Sequence, residues 1–167
     1  GIEVLSGARF ALSRALVEDN REEGLLVGDD GTSVEAMDVV VRGTRERASG
    51  GMAGRGIDVL SGARFALSRA LIEDNREEGL FVAGAGTSVM ATDVVVLGTR
   101  ERASDGMFGR GINVQVGAHL VLSRALVEDN RDAGLFVDGT GTSVDASDLI
   151  VRGTMPQASD GTNGAGV

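Results

Sequence analysis

The stretch Leu12-Ser13-Arg14-Ala15-Leu16-Val17-Glu18-Asp19-Asn20-Arg21 decides how this chain is read. It returns at 67–76 with Ile72 in place of Val17, and unchanged at 122–131. The spacing is 55 residues both times. A fixed period marks a repeat architecture, in which no unit buries a core of its own and each must stack on its neighbours. The repeats run 1–55, 56–110 and 111–167, and the first two are identical at 44 of 55 positions. Their differences fall mainly in short loops and at alternate positions, as in Leu26 to Phe81 and Glu35 to Met90, whereas inward positions change conservatively.

Each repeat contains a fainter inner repeat. Gly1-Ile2-Glu3-Val4 matches Gly24-Leu25-Leu26-Val27, and 10–20 lines up with 34–44. The longer of the two inner units ends in a small, glycine-rich insert, which reads as a lateral loop at 45–55, 100–110 and 155–165. Alternation places Ile2 and Val4 inward, then Phe10 and Leu12, then Val17 after a corner at Ser13-Arg14, predicting three short strands per unit. A helix is the rival, since Ala8, Ala11, Leu12, Ala15 and Leu16 form a stripe of helix formers. The matching Val39-Val40-Val41 is β-branched and argues against it. A leucine-rich repeat fits the first half of the unit in part and the second half poorly.

Three strands per turn predict an all-β fold, a parallel β-helix or β-solenoid of six coils forming one domain over 1–167. At the spacing of neighbouring strands, about 4.8 Å, the rod is about 29 Å long. The Gly-Ile-x-Val openings at Gly1, Gly56 and Gly111, the inward set Phe10, Leu12, Ala15 and Val17, and the turn asparagines Asn20, Asn75 and Asn130 carry a resemblance to a known group. This coil pattern resembles the right-handed parallel β-helix repeat proteins with the pectate-lyase-like fold. That group spans polysaccharide lyases, hydrolases, tailspikes and adhesins, so the resemblance implies handedness and shape and selects no function.

Stacking turns the alignment into columns. Arg14, Asp38, Arg69, Asp93, Arg124 and Asp148 alternate in sign, as do Glu18, Arg42, Glu73, Glu128 and Arg152 with Leu97 interrupting. Opposite charges on neighbouring strands attract, and a one-coil slip sets like on like. Asn20, Thr44, Asn75, Thr99, Asn130 and Thr154 read as a polar ladder at a turn. Leu16, Val40, Leu71, Val95, Leu126 and Ile150 form an apolar column that alternation points outward, a contact stripe to be covered by Met52, Met107 and Phe108 of the lateral loops or by another chain. On the outer side of the first strand, Glu3, Leu26, Asp58, Phe81, Asn113 and Phe136 mix carboxylates with aromatics, a possible ligand face suited to sugars.

Composition narrows the chemistry. Net charge is −9 and all sixteen basic residues are arginine, which disfavours nucleic acid, and no apolar run is long enough for membrane insertion. There is no cysteine. Acidic residues on the ligand face lie two coils apart, about 9.6 Å at strand spacing, near the upper limit for an inverting glycosidase pair. Asp29-Asp30 and the Ser104-Asp105-Gly106 and Ser159-Asp160-Gly161 loops lack the calcium-repeat pattern. No catalytic, cofactor or metal site is therefore expected, and His119 stands where Arg9 and Arg64 stand in the other repeats. Both ends look cut from a longer array, since the opening Gly1-Ile2 matches Gly56-Ile57 in mid-chain. The expectation is a structural or binding segment of a larger extracellular or cell-surface protein, a stiff scaffold able to form a homo-oligomer or an end-to-end filament. The alternative is a polysaccharide-binding or polysaccharide-degrading module.

Overall fold

The computed structural model describes residues 1–159, 161 and 164–166. Among them the secondary structure is all β, with parallel strands in two sheets and no helix. Six short strands, β1 (Ile2–Val4), β3 (Glu23–Val27), β5 (Arg55–Leu60), β7 (Glu78–Ala83), β9 (Arg110–Gln115) and β11 (Leu135–Asp138), form the first sheet in that order. Six ten-residue strands, β2 (Arg9–Glu18), β4 (Ser33–Arg42), β6 (Arg64–Glu73), β8 (Ser88–Leu97), β10 (His119–Glu128) and β12 (Ser143–Arg152), form the second. Each strand pairs in parallel with its counterpart one pass later, Leu12 facing Ala36 and Ala36 facing Leu67. This is the arrangement of a β-solenoid.

The core lies between the sheets and follows from alternation. In β6, Phe65, Leu67, Ala70 and Ile72 are buried while Ala66, Ser68, Arg69 and Leu71 face out. Large and small residues interleave along the axis. Leu67 sits between Ala36 and Ala91, and Ala70 between Val39 and Val94, so each pass fills what its neighbours leave open. Each leucine or phenylalanine so buried contributes about 1.5–3 kcal/mol.

The corner expected at Ser13-Arg14 is present, but it does not end the strand. Arg14, Asp38, Arg69, Asp93, Arg124 and Asp148 all take left-handed φ values between 51° and 56°, and the pairing register steps over each of them. One residue per pass turns the chain while both flanks stay in the ladder. The three short strands expected per unit are therefore one short strand and one long, bent strand. Left-handed φ is unfavourable for side chains of this size, and the column offsets it by pairing across the passes. Arg69 donates to both oxygens of Asp38 at 2.6 and 2.8 Å, and Arg124 to both oxygens of Asp93 at the same distances.

The neighbouring turn is closed by the asparagine ladder. Asn75 Oδ1 accepts the Thr44 N–H at 3.0 Å and its Nδ2 donates to the Val41 carbonyl at 3.1 Å. Asn130 does the same for Thr99 and Val96 at 2.9 and 3.4 Å. Both asparagines are fully buried. The strand openings tolerate only glycine beside this ladder. A Cβ on Gly79 meets Val96 Cγ1 at 2.6 Å and the Gly111 carbonyl oxygen at 2.7 Å.

The first and last passes are less buried than those between them. Phe10, whose counterpart Phe65 is buried, is 37% exposed, and Leu12 and Ala15 are half-buried. At the far end Val144, Leu149 and Val151 are half-buried and Ala146 is exposed. Among the described residues, β2 and β12 each pair with one neighbouring strand.

Candidate functional site

The outer face of the first sheet holds the one concentration of buried charge among the described residues. Arg55, the first residue of β5, sits where the lateral loop 45–55 returns to the first sheet. Its Nη1 lies 2.9 Å from Asp58 Oδ2, its Nη2 3.3 Å from Glu77 Oε1 and its Nε 2.8 Å from Glu78 Oε2. Its guanidinium carbon stacks 4.2 Å from the centre of the Phe81 ring. Asn113 Nδ2 donates to Glu78 Oε1. One repeat on, Arg110 pairs with Asp132 at 2.7 Å and stacks 3.9 Å from the Phe136 ring. Phe108 of the second lateral loop lies between Arg110 and Arg102, at 5.0 and 4.3 Å.

This geometry shifts the titrations. Burial pushes Glu78 up to about 7, with the charges of Glu77 and Asp58 adding to it and Arg55 and Asn113 opposing. Burial also raises Asp58, against the pull of Arg55. Arg55 loses solvation, but the Glu78, Asp58 and Glu77 carboxylates hold it above the ordinary guanidinium value. Carboxylates outnumber the arginine that joins them, so desolvation outweighs the pairing for Glu78.

The sequence-predicted ligand face is thus closed in its middle. Asp58 and Asn113 are 1% exposed and Phe81 is buried; only Glu3 is exposed at one end, with Leu26 and Phe136 half-buried. Arg55, where the first lateral loop returns, pairs with Asp58 and lies over Phe81, and Glu78 takes up Asn113. The lateral loops leave at Arg45 and return at Arg55, where the Gly54 and Arg55 N–H groups both donate to the Glu22 carbonyl at 2.8 Å. The anchoring lays them beside the first sheet, and they brace one another through Ala103 N–H to Glu46 and Ser104 Oγ to the Gly51 carbonyl. Arg55, Glu77 and Glu78 were not singled out from sequence. They sit at strand starts and a loop end, where polar residues ordinarily mean solvent.

The contact stripe has a different environment. Leu16 and Ile150 at its ends are 53% and 55% exposed, while Val40, Leu71, Val95 and Leu126 are half-buried. They lie in register, Leu16 beside Val40 and Leu126 beside Ile150. The expected cover by lateral loops is corrected. Phe108 stacks on arginines of the first-sheet side, and Met52 and Met107 are exposed. The stripe is flanked by ion pairs, Arg42 with Glu18 at 2.8 Å and Arg152 with Glu128 at 2.6 Å.

The remaining polar candidates serve turns. Asp29 accepts the Ser6 N–H at 3.0 Å, and Asp105 accepts the Met107 N–H and pairs with Arg102. Asp160 of the third loop lies outside the described residues. Among the described residues no group of three or more His, Asp or Glu is placed to hold a metal ion. His119 bonds Ser143 Oγ at 2.7 Å on the surface. In comparisons with known proteins, no family model, curated protein or solved structure matches this chain.

Proposed function

We propose that this chain is a right-handed parallel β-helix of six coils that serves as a stiff, non-catalytic scaffold segment of a larger extracellular or cell-surface protein. What carries the reading is periodicity. The corner ion pairs, the asparagine ladder and the apolar stripe recur from repeat to repeat, whereas a catalytic centre concentrates singular residues. Such a body displays a regular side face and passes load along continuous hydrogen-bonded sheets. Against the polysaccharide reading, the Arg55 and Arg110 guanidiniums stack on the Phe81 and Phe136 rings.

Electron microscopy and small-angle scattering of the purified chain test this. The expected particle is a rod about 29 Å long per chain with a repeat of about 4.8 Å along its axis, and a side-chain-resolution map gives the handedness. A compact particle without that axial repeat refutes the scaffold. Turnover of a polysaccharide, lost in R55A, refutes the non-catalytic assignment.

A further inference from the structure

We infer that the apolar stripe of the second sheet is a seam between two copies of this chain, packed side by side and face to face with their rod axes antiparallel, a reading that rests on the scaffold proposed above.

The lateral loops do not cover the stripe. Its middle members Val40, Leu71, Val95 and Leu126 stack in register as one continuous row, each half-buried. The corner column bounds the row on one side and the strand-end column on the other. An apolar strip between two charged rims has the layout of a protein contact surface. The corner rim holds three arginines and three aspartates, so it offers no net field to a polyanion.

The rims show what fits. Within a pass the two rims carry opposite signs, Asp38 with Arg42, Arg69 with Glu73 and Arg124 with Glu128. Along each rim the sign alternates from pass to pass, Leu97 being the one interruption. A second copy matches this pattern when it is turned about an axis that runs along the strands and falls between two passes. With the axis between β6 and β8, Arg69 faces the second copy's Asp93, Asp38 its Arg124 and Arg42 its Glu128, so both rims pair at once. The same turn sets Leu71 on Val95 and Leu126 on Val40. A large residue meets a small one at each step, and the two sheets keep one spacing.

Other placements fit less well. A twofold along the rod axis also opposes the charges, but it sets Leu71 on Leu71 and Val95 on Val95, large on large beside small on small. A slide by one pass in either arrangement brings like charges together. The rule holds about any boundary between passes, so it is independent of how many repeats the array has.

The rim arginines have donors to give. The Arg69 and Arg124 side chains are 53% and 56% exposed. Each uses Nε and Nη2 on the aspartate one pass back, which leaves Nη1 for a carboxylate across the seam. The seam measures about 29 Å along the rod and about 13 Å across, or about 380 Å² per copy. A standard interface buries about 800 Å² per partner, so three repeats associate weakly and the charged rims set geometry more than strength.

Sedimentation velocity of the 167-residue chain up to about 1 mM tests the seam, for wild type, L71D and the milder L71T. Wild type forms a dimer at the upper end of the series. L71D, which places a charge in the seam, weakens it at least about tenfold, and L71T weakens it less, both with an unchanged β circular-dichroism spectrum. Orientation is read with single cysteines, since the wild-type chain has none, and a short bismaleimide suited to the roughly 10 Å between stacked sheets. L126C mixed with V40C yields linked dimers, whereas L126C alone, and M52C on an exposed part of a lateral loop, do not. A wild-type chain that stays monomeric to about 1 mM, or L71D that dimerises as wild type does, overturns the seam. L126C linking to itself as readily as to V40C overturns the orientation. Monomeric rods leave the scaffold reading standing; particles that are not rods remove both.

Discussion

Replacing Asn75 by alanine tests the most internal of the turn interactions. The side chain is fully buried and holds two main-chain groups, the Thr44 N–H at 3.0 Å and the Val41 carbonyl at 3.1 Å, each in the preceding pass. Alanine reaches neither. A buried main-chain group left without a partner costs about 1–3 kcal/mol, so the two together predict a loss of about 2–6 kcal/mol. Asn130, which holds Thr99 and Val96 in the same way, predicts a similar loss. Asn20 is the internal control, because in the isolated chain it is half-buried and bonds only its own pass; N20A predicts less than about 1 kcal/mol. Urea unfolding followed by far-ultraviolet circular dichroism at low micromolar concentration measures all three, with the slope of the transition checking that each variant unfolds as one unit. If N20A and N75A shift the midpoint equally, or N75A costs under about 1 kcal/mol, the ladder does not hold the turn and the reasoning fails.

Other outcomes follow from the same structure. Because Glu78 sits at about 7 in the folded chain against its ordinary 4.5, the folded state binds the extra proton, so stability falls as pH rises from about 4.5 to about 7. E78Q flattens that fall and raises the urea midpoint at pH 8; an unchanged pH profile counts against the desolvation argument. R55A leaves Asp58, Glu77 and Glu78 buried without their shared cation and costs about 3–5 kcal/mol. Hydrogen exchange accelerates in loop 45–55 of that variant, and R110A loses less. G79A forces a methyl into Val96 and the Gly111 carbonyl and costs about 1–3 kcal/mol, read as a lowered thermal midpoint.

The columns show where sequence was sufficient. Period-2 alternation identified the inward residues of β6, the corner at Ser13-Arg14 and the asparagine ladder, because each depends only on neighbours one pass away and the repeat writes those neighbours into the alignment. The sign alternation of Arg14, Asp38, Arg69 and Asp93 was legible for the same reason, and the bidentate pairs bear it out. The lateral loops were visible as inserts, but not their direction. Their path is set by main-chain bonds from Gly54 and Arg55 to Glu22, which no periodicity records.

The chain by itself therefore determined the stacking, since a residue that recurs at fixed spacing must meet its own counterpart when passes lie one on another. Tertiary structure alone decided which charges are buried. In sequence Asp58 reads as part of an open ligand face and Glu78 carries no signal; with Arg55 they form a desolvated cluster only in the folded chain. Burial is a property of the assembled surface, so charge that looks free in one dimension becomes buried and paired in three.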